Sequence, residues 1–373
     1  MELRLHFGKK MQLPAEVELR HCGRDNFLFL AGGCQSDYDG YYSAVASDTC
    51  HQEVAAGAAR SPISKLQNDC LAAALGGFFS VRRKVLDFGC GQASLLVELA
   101  TGCPSSAFFG YDPGPAAHTA SGKARTLGLD NLSVTGLKEV AEHEPYDLVI
   151  ASHVLEHLLD LDLLDLLGGF LANGGLLYVE VPDALHYGAH ERLEFLYYFD
   201  RLHVNHFTPQ SLARLVTGYG FGYIKHFEYT FPYRDGGEYP ALGMLFGKGG
   251  DAVEVTSPSV LDAAHRYIRL EKERGRAVAG TLDALEGVLV WGVGDNFYRS
   301  VENGGPLSGL RNMVLLDRRP QEVTIGNRRY QTMDPQDGIR SHPWPVVVTI
   351  SEGRRDISRQ VADMDPGRRI ILV

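Results

Sequence analysis

The chain has 373 residues, 45% of them hydrophobic and 22% charged, with a formal net charge of −10. This length predicts two domains whose cores need no disulfide or metal staple, and the ordinary hydrophobic content excludes a disordered chain. The acidic balance excludes a nucleic-acid binder held mainly by phosphate contacts.

The six cysteines, Cys22, Cys34, Cys50, Cys70, Cys90 and Cys103, form no CxxC pair. Neither a disulfide framework nor a complete zinc site is expected, and a reducing cytoplasm is the simplest compartment. The opening MELRLHFGKKMQ has no apolar signal-peptide core, and no apolar run reaches the roughly 18 residues of a membrane span.

Residues 1–60 read as an irregular segment with Gly32, Gly33 and Gly40 and the tyrosines Tyr38, Tyr41 and Tyr42. Residues 61–248 alternate short apolar strands with helical patterns, which predicts a parallel sheet with crossover helices. The strands are expected at Lys84–Phe88, Ala107–Tyr111, Leu132–Thr135, Asp147–Ala151 and Leu176–Val181. A helix near Pro209–Gly218 follows, then strands Tyr223–Tyr229 and Leu242–Gly247. The short Pro/Gly-rich connection between these last two predicts an antiparallel pair. Residues 249–258 read as a linker. Residues 259–373 begin with a charged helix, Val260–Leu285, and return to strands at Met313–Asp317, Val346–Ile350 and Arg369–Val373. They read as a second, smaller α/β domain.

The segment VLDFGCG ends a buried strand at Asp87 and turns through Gly89, Cys90 and Gly91 into a helix. Glycines allow the sharp bend and close approach of a ligand, and the crevice beyond the strand ends is where open α/β sheets bind ligands. A dinucleotide loop would carry a third glycine, and Ser94 stands there instead. The acidic Asp87 disfavours phosphate and favours an ammonium. Asp112, at the end of the second strand, suits the two hydroxyls of a ribose. An ammonium with a free ribose describes S-adenosylmethionine better than NAD.

The motifs DFGCG, YDP at 111–113, YDLVIASHVLEH at 146–157 and LANGGLLYVEVP at 171–182 resemble, in order and spacing, those of class I S-adenosylmethionine-dependent methyltransferases. The resemblance implies their Rossmann-like sheet: five parallel strands and a late antiparallel hairpin. It implies that Gly89, Cys90 and Gly91 line the methionine part and that Asp112, with Pro113 beside it, holds the ribose. Leu137 would border adenine, and Ser152 and His153 would flank the cofactor. The segment around Tyr42 would fold over it as a lid; the alternative is ordinary packing of these tyrosines.

The stretch LHVNHFTPQSL resembles a segment of methyltransferases acting on sugars and small metabolites. Carried over from the sugar C-methyltransferases, their active-site histidine falls on His203, a suitable base for a hydroxyl acceptor. His206, Asp183 and His186 are candidate helpers; support of the following helix is the competing role for both histidines of the stretch. His157 is expected to be structural, as an i,i+4 pair with His153 on a helix. The string HVLEH lacks the HExxH order of zinc enzymes, so no metal is expected there. Nor is one expected in residues 1–60, where those relatives carry a four-cysteine zinc module and only Cys22 and Cys34 stand in plausible places.

A second strand–glycine–helix turn, GVLVWGVGDNFYRSV at 287–301, resembles the start of the C-terminal domain of the sugar C-methyltransferases, where that domain helps enclose the acceptor. Its loop fits neither GxGxxG nor a P-loop, and Asp295 is expected to repel phosphate. A structural or dimerisation role is the alternative, with a homodimer as the resulting assembly. The expected activity is methyl transfer to a small polar acceptor, a nucleotide-linked sugar or a secondary metabolite, with His203 as base. The competing readings are another natural product, methylation at carbon, or a non-catalytic scaffold. No nucleic-acid or membrane partner is expected.

Overall fold

The structure, a computed structural model, describes residues 3–8, 13–44, 62–190, 194–232, 237–251, 253–302, 304–350 and 353–373. The N-terminal region is not irregular. Strands β1 (Leu3–His6), β2 (Glu16–Cys22) and β3 (Phe27–Ala31) form an antiparallel meander, followed by helix α1 (Gln35–Ala44). Alternation explains it: Val17 and Leu19 on β2, and Leu28 and Leu30 on β3, are buried on one face. Asn26, at φ 50°, takes the left-handed conformation that closes the hairpin between β2 and β3.

After α2 (Pro62–Leu75) the chain alternates β4 (Lys84–Phe88), α3 (Ser94–Gly102), β5 (Ala107–Tyr111), α4 (Ala116–Thr126), β6 (Leu132–Val134), α5 (Leu137–Glu142), β7 (Tyr146–Ser152), α6 (Leu163–Phe170) and β8 (Leu171–Pro182). A two-residue strand, β9 (Asn205–His206), then pairs antiparallel with β3 and becomes the fourth strand of the N-terminal sheet. Helix α7 (Pro209–Gly218) leads into β10 (Phe221–Pro232) and β11 (Glu238–Lys248). Thr208 and Ser211 cap α7 reciprocally, with Pro209 in its first turn.

The central sheet has the order β10-β11-β8-β7-β4-β5-β6. Strands β4 to β8 are parallel, and β11 inserts antiparallel between β8 and β10. Each strand feeds two cores. Leu86, Val149 and Val179 pack on one face, while Val85, Leu148, Ile150 and Tyr178 pack on the other. Burying each such aliphatic side chain contributes about 1.5–3 kcal/mol, which is why these runs settle as strands covered on both sides. Strand order reverses at β4, which lies between β5 and β7. The crevice beyond the carboxyl ends of β4 and β7 is therefore the place for a ligand.

The stretch expected as a linker is anchored by the N-terminal hairpin. Asn26 Nδ2 donates to Ser257 Oγ at 3.1 Å and to the Pro258 carbonyl at 2.8 Å, and Asn26 Oδ1 accepts from Val260 N at 2.9 Å. Helix α8 (Val260–Asp283), capped by Ser259, then leads to β12 (Val288–Trp291) and α9 (Asp295–Val301). Next come β13 (Met313–Leu316), the hairpin β14 (Glu322–Ile325) and β15 (Arg328–Gln331), α10 (Pro335–Ser341), β16 (Val346–Val348), α11 (Arg354–Met364) and β17 (Ile370–Leu372). A second, all-parallel sheet has the order β13-β12-β16-β17. Among the described residues no helix is long and apolar enough to cross a membrane.

Candidate active site

The loop after β4 is bent by three left-handed residues: Gly89 at φ 82°, Gly91 at 52° and Ala93 at 56°. Gly89 also needs its bare Cα, since an added Cβ would stand 2.6 Å from Val154 Cγ2. The amides of Gly89 and Cys90 both donate to the Tyr111 carbonyl, at 2.7 and 2.9 Å, which pins the loop to β5. Cys90 is buried, with its sulfur seated over Gly110.

Asp87 is buried at the end of β4, and its Oδ1 has no hydrogen-bond partner among the described residues. Burial pushes its carboxyl up to about 8, and the charges of Asp112 and Glu180 add to the effect. Asp112 spans two loops: Oδ2 accepts from Gly91 N at 2.9 Å and Oδ1 from Gly114 N at 2.8 Å. A carboxylate oxygen has a second lone pair, so both can still accept from a ligand. Pro113 and Leu137 are exposed along the same rim. Three carboxylates ring this end of the sheet, a setting that favours a cation.

Behind the crevice lies a buried polar network. Glu180 accepts from Gln67 Nε2 at 2.6 Å, Ser152 Oγ at 2.9 Å, Tyr178 OH at 2.6 Å and Tyr229 OH. His153 sits between Glu156 Oε1 at 2.8 Å and Glu180 Oε1 at 3.3 Å. Burial works against charge on both groups, but these partners outweigh it. Glu180 is held down at about 2 and His153 is raised to about 10. Ser152 and His153 thus support the wall of the crevice through this network. The helix expected over 153–157 is instead one 3-10 turn, Leu155–His157, entered through His153 at φ 55°.

That turn also reaches the segment that precedes β9. His157 Nδ1 lies 2.8 Å from both the Tyr42 hydroxyl and the Leu202 carbonyl oxygen. Its ring centre is 5.0 Å from that of His203. Tyr42 of α1 therefore folds over this turn. Tyr38 and Tyr41 are buried, with the Tyr38 hydroxyl donating to the Arg201 carbonyl at 3.0 Å. His203 is only 5% exposed, and burial lowers it to about 4, with His157 acting in the same direction. It is a neutral imidazole. Asp183 is buried, accepting from Leu185 N at 3.0 Å and meeting His186 Nδ1 at 2.6 Å. His206 does not stand with them. It is fully buried on β9, 3.1 Å from the Tyr187 hydroxyl and edge-on to Phe199. Burial holds it down at about 3, and its surroundings give it a packing role.

Asp295, expected to repel phosphate, spends its charge on Arg201 at 2.7 Å. Arg201 also donates to the carbonyls of Gly8 and Pro14. Arg299 on α9 pairs with Asp200 at 2.7 Å and Glu194 at 2.8 Å. The C-terminal region thus grips residues 194–201, directly ahead of His203. These pairs have no local sequence signal, because their partners stand about a hundred positions apart. Beside this grip a cavity of about 850 Å³, lined by Gly292, Gly294, Asp317, Arg318 and Gly353 among others, opens at the strand ends of the second sheet.

Residues 60–226 match a family described as a methyltransferase domain. A trans-aconitate 2-methyltransferase from Methylobacterium radiotolerans is 36% identical over 104 residues, 28% of this chain; the chain covers 39% of that relative's length. Among solved structures, a coclaurine N-methyltransferase bound to N-methylheliamine and SAH is 16% identical, with a TM-score of 0.38, covering 50% of this chain and 72% of that one. A putative sarcosine dimethylglycine methyltransferase from Galdieria sulphuraria is 16% identical, with a TM-score of 0.39, covering 58% and 100%. Residues 60–226 are therefore a methyltransferase domain by this family match, and the strand order and late hairpin of the sheet agree with it.

Proposed function

We infer that the chain transfers a methyl group from S-adenosylmethionine to a small polar acceptor: a sugar, nucleotide-linked or free, or a secondary metabolite. One observation carries the reading. The turn 153–157 touches Gly89 of the glycine loop through Val154 and stands beside His203 through His157. A donor on the loop and an acceptor beside His203 would therefore meet across one short turn.

Asp87 suits the donor's ammonium, Asp112 its ribose hydroxyls, and the surrounding carboxylates its sulfonium. Methyl transfer is an in-line displacement, so most of the acceleration is positioning, with reacting atoms held about 3–3.5 Å apart. His203, neutral in its buried setting, assists loss of the acceptor proton, and Asp183 with His186 orients the acceptor. In this reading residues 61–248 bind the donor, 259–373 form a second domain that fixes the acceptor segment, and the acidic net charge favours a small molecule over nucleic acid as acceptor in the cytoplasm.

Calorimetry with S-adenosylmethionine tests the donor half; absence of binding at millimolar donor would remove the reading. A panel of nucleotide sugars with methyl-labelled donor tests the acceptor half, and label on no sugar but on another small metabolite would redirect it.

A further inference from the structure

We propose that Glu156, His157 and His203 form a binding site for one divalent transition-metal ion, held by two imidazoles and one carboxylate.

The three side chains come from the turn after β7 and from the segment before β9, 46 positions later, and each offers a ligand atom within 4.8 Å of the other two. Glu156 is fully buried and His203 nearly so. Among the described residues, Glu156 Oε2 and His203 Nδ1 have no hydrogen-bond partner. Two polar atoms left unmatched in one buried place are costly to keep, and a shared cation would satisfy both.

The tautomer of His157 fits the same purpose. Its Nδ1 faces the Leu202 carbonyl oxygen at 2.8 Å. A carbonyl only accepts, and the Tyr42 hydroxyl, equally close, can accept too, so a proton on Nδ1 serves both. The bare lone pair is then on Nε2, which lies 3.9 Å from Glu156 Oε1. A backbone carbonyl that orients a ligating imidazole in this way is a recurrent support of metal sites.

Other supports are present. His153 holds Glu156 Oε1 at 2.8 Å. Asn205 Nδ2 donates to the carbonyls of Leu155 and Leu158, which bracket the turn. The ligand set is thus placed before any ion arrives. Two imidazoles and one carboxylate suit Zn²⁺, Mn²⁺, Fe²⁺ or Co²⁺ over Mg²⁺ or Ca²⁺, which favour all-oxygen shells. The second cluster of metal-ligand type, Asp183, His186 and Glu228, is a weaker candidate. Its Asp183 and His186 already satisfy each other, and His186 and Glu228 are exposed.

Three protein ligands leave coordination positions for an acceptor oxygen. A hydroxyl on such an ion gives up its proton to water more readily. His203 would then be a ligand while the ion polarises the acceptor. That chemical role rests on the methyl-transfer reading; ion binding itself does not.

The test is titration of chelator-stripped, untagged full-length protein with Co²⁺, followed by visible absorption. We expect one equivalent bound, displaced by Zn²⁺. His203→Gln and His157→Gln should each weaken Co²⁺ at least about tenfold, with circular dichroism confirming the fold, while His186→Ala binds as the wild type does. No saturable Co²⁺ signal in the wild type, or unchanged affinity in both glutamine variants, would overturn the proposal. So would a loss confined to His186→Ala. Co²⁺ binding without S-adenosylmethionine binding would uphold the site and remove the methyl-transfer reading; the converse would do the opposite.

Discussion

Arg201 and Asp295 meet at 2.7 Å, with the arginine side chain fully enclosed. One stands two residues before His203 and the other begins α9, so the pair joins the segment ahead of His203 to the C-terminal sheet. Removing one partner of a buried pair leaves a desolvated charge and costs about 3–5 kcal/mol. Asp295→Ala should fall at the lower end, because Arg201 keeps two carbonyl acceptors. Urea unfolding measures this, and the double variant Asp295→Ala/Arg201→Met should recover part of the loss. An Asp295→Ala protein as stable as the wild type would show that the pair contributes nothing.

Asp112→Asn should weaken donor binding about 10- to 100-fold, since hydrogen bonds to a charged acceptor contribute about 1.5–3 kcal/mol. The asparagine also turns an NH₂ toward an amide that now donates to Asp112. Calorimetry with S-adenosylmethionine gives the number; affinity within twofold of the wild type would move the ribose elsewhere.

If Asp87 holds the donor's ammonium as proposed, donor binding should depend on pH. Its carboxyl is raised from 3.8 to about 8 by burial, so near neutrality the free protein holds it largely protonated. A cationic ammonium binds the ionised form, so each donor bound releases a proton. Affinity should rise from about pH 6 to about pH 8, by at most about tenfold per pH unit. Stability of the free protein runs the other way. The folded state favours the protonated carboxyl, so that contribution is complete below about pH 4 and is lost as pH rises through about 8. Asp87→Asn should therefore flatten the affinity profile and stabilise the unliganded protein most at the alkaline end. A steep profile that persists in Asp87→Asn would assign the proton to another group.

Glu180→Gln should destabilise the protein by about 3–5 kcal/mol, because His153 loses one of its two carboxylates inside the wall. Tyr229→Phe removes only one donor to that carboxylate and should cost about 1.5–3 kcal/mol. Chemical denaturation of the two variants checks the ranking, and equal losses would mean that the ion pair adds nothing beyond a hydrogen bond.

The parallel strands β4 to β8 are legible because their signals are local. Lys84–Phe88 and Ala107–Tyr111 are short, largely apolar runs followed by a glycine loop and an acidic turn, and both strands have those bounds. The N-terminal meander carries its signal in the alternation of Val17, Leu19, Leu28 and Leu30, but the clusters of glycine and tyrosine beside it read as loop. Its fourth strand, β9, comes from about 175 positions away, which no window along the chain spans. His206 shows another limit. Motif spacing sets it beside His203, but only the pairing of β9 with β3 decides that its ring turns under Tyr187 and edge-on to Phe199. The grip of Arg201 and Arg299 depends likewise on tertiary partners.

The stretch 194–206 is clasped from both ends of the chain: Leu28 and Phe29 pair with 205–206, and Asp295 and Arg299 hold 194–201. During synthesis the donor-binding sheet can close once β11 has emerged, but this stretch must wait for α9, some fifty residues later. The nascent chain should therefore acquire the proposed place for a methyl donor before it acquires a finished place for the proposed acceptor.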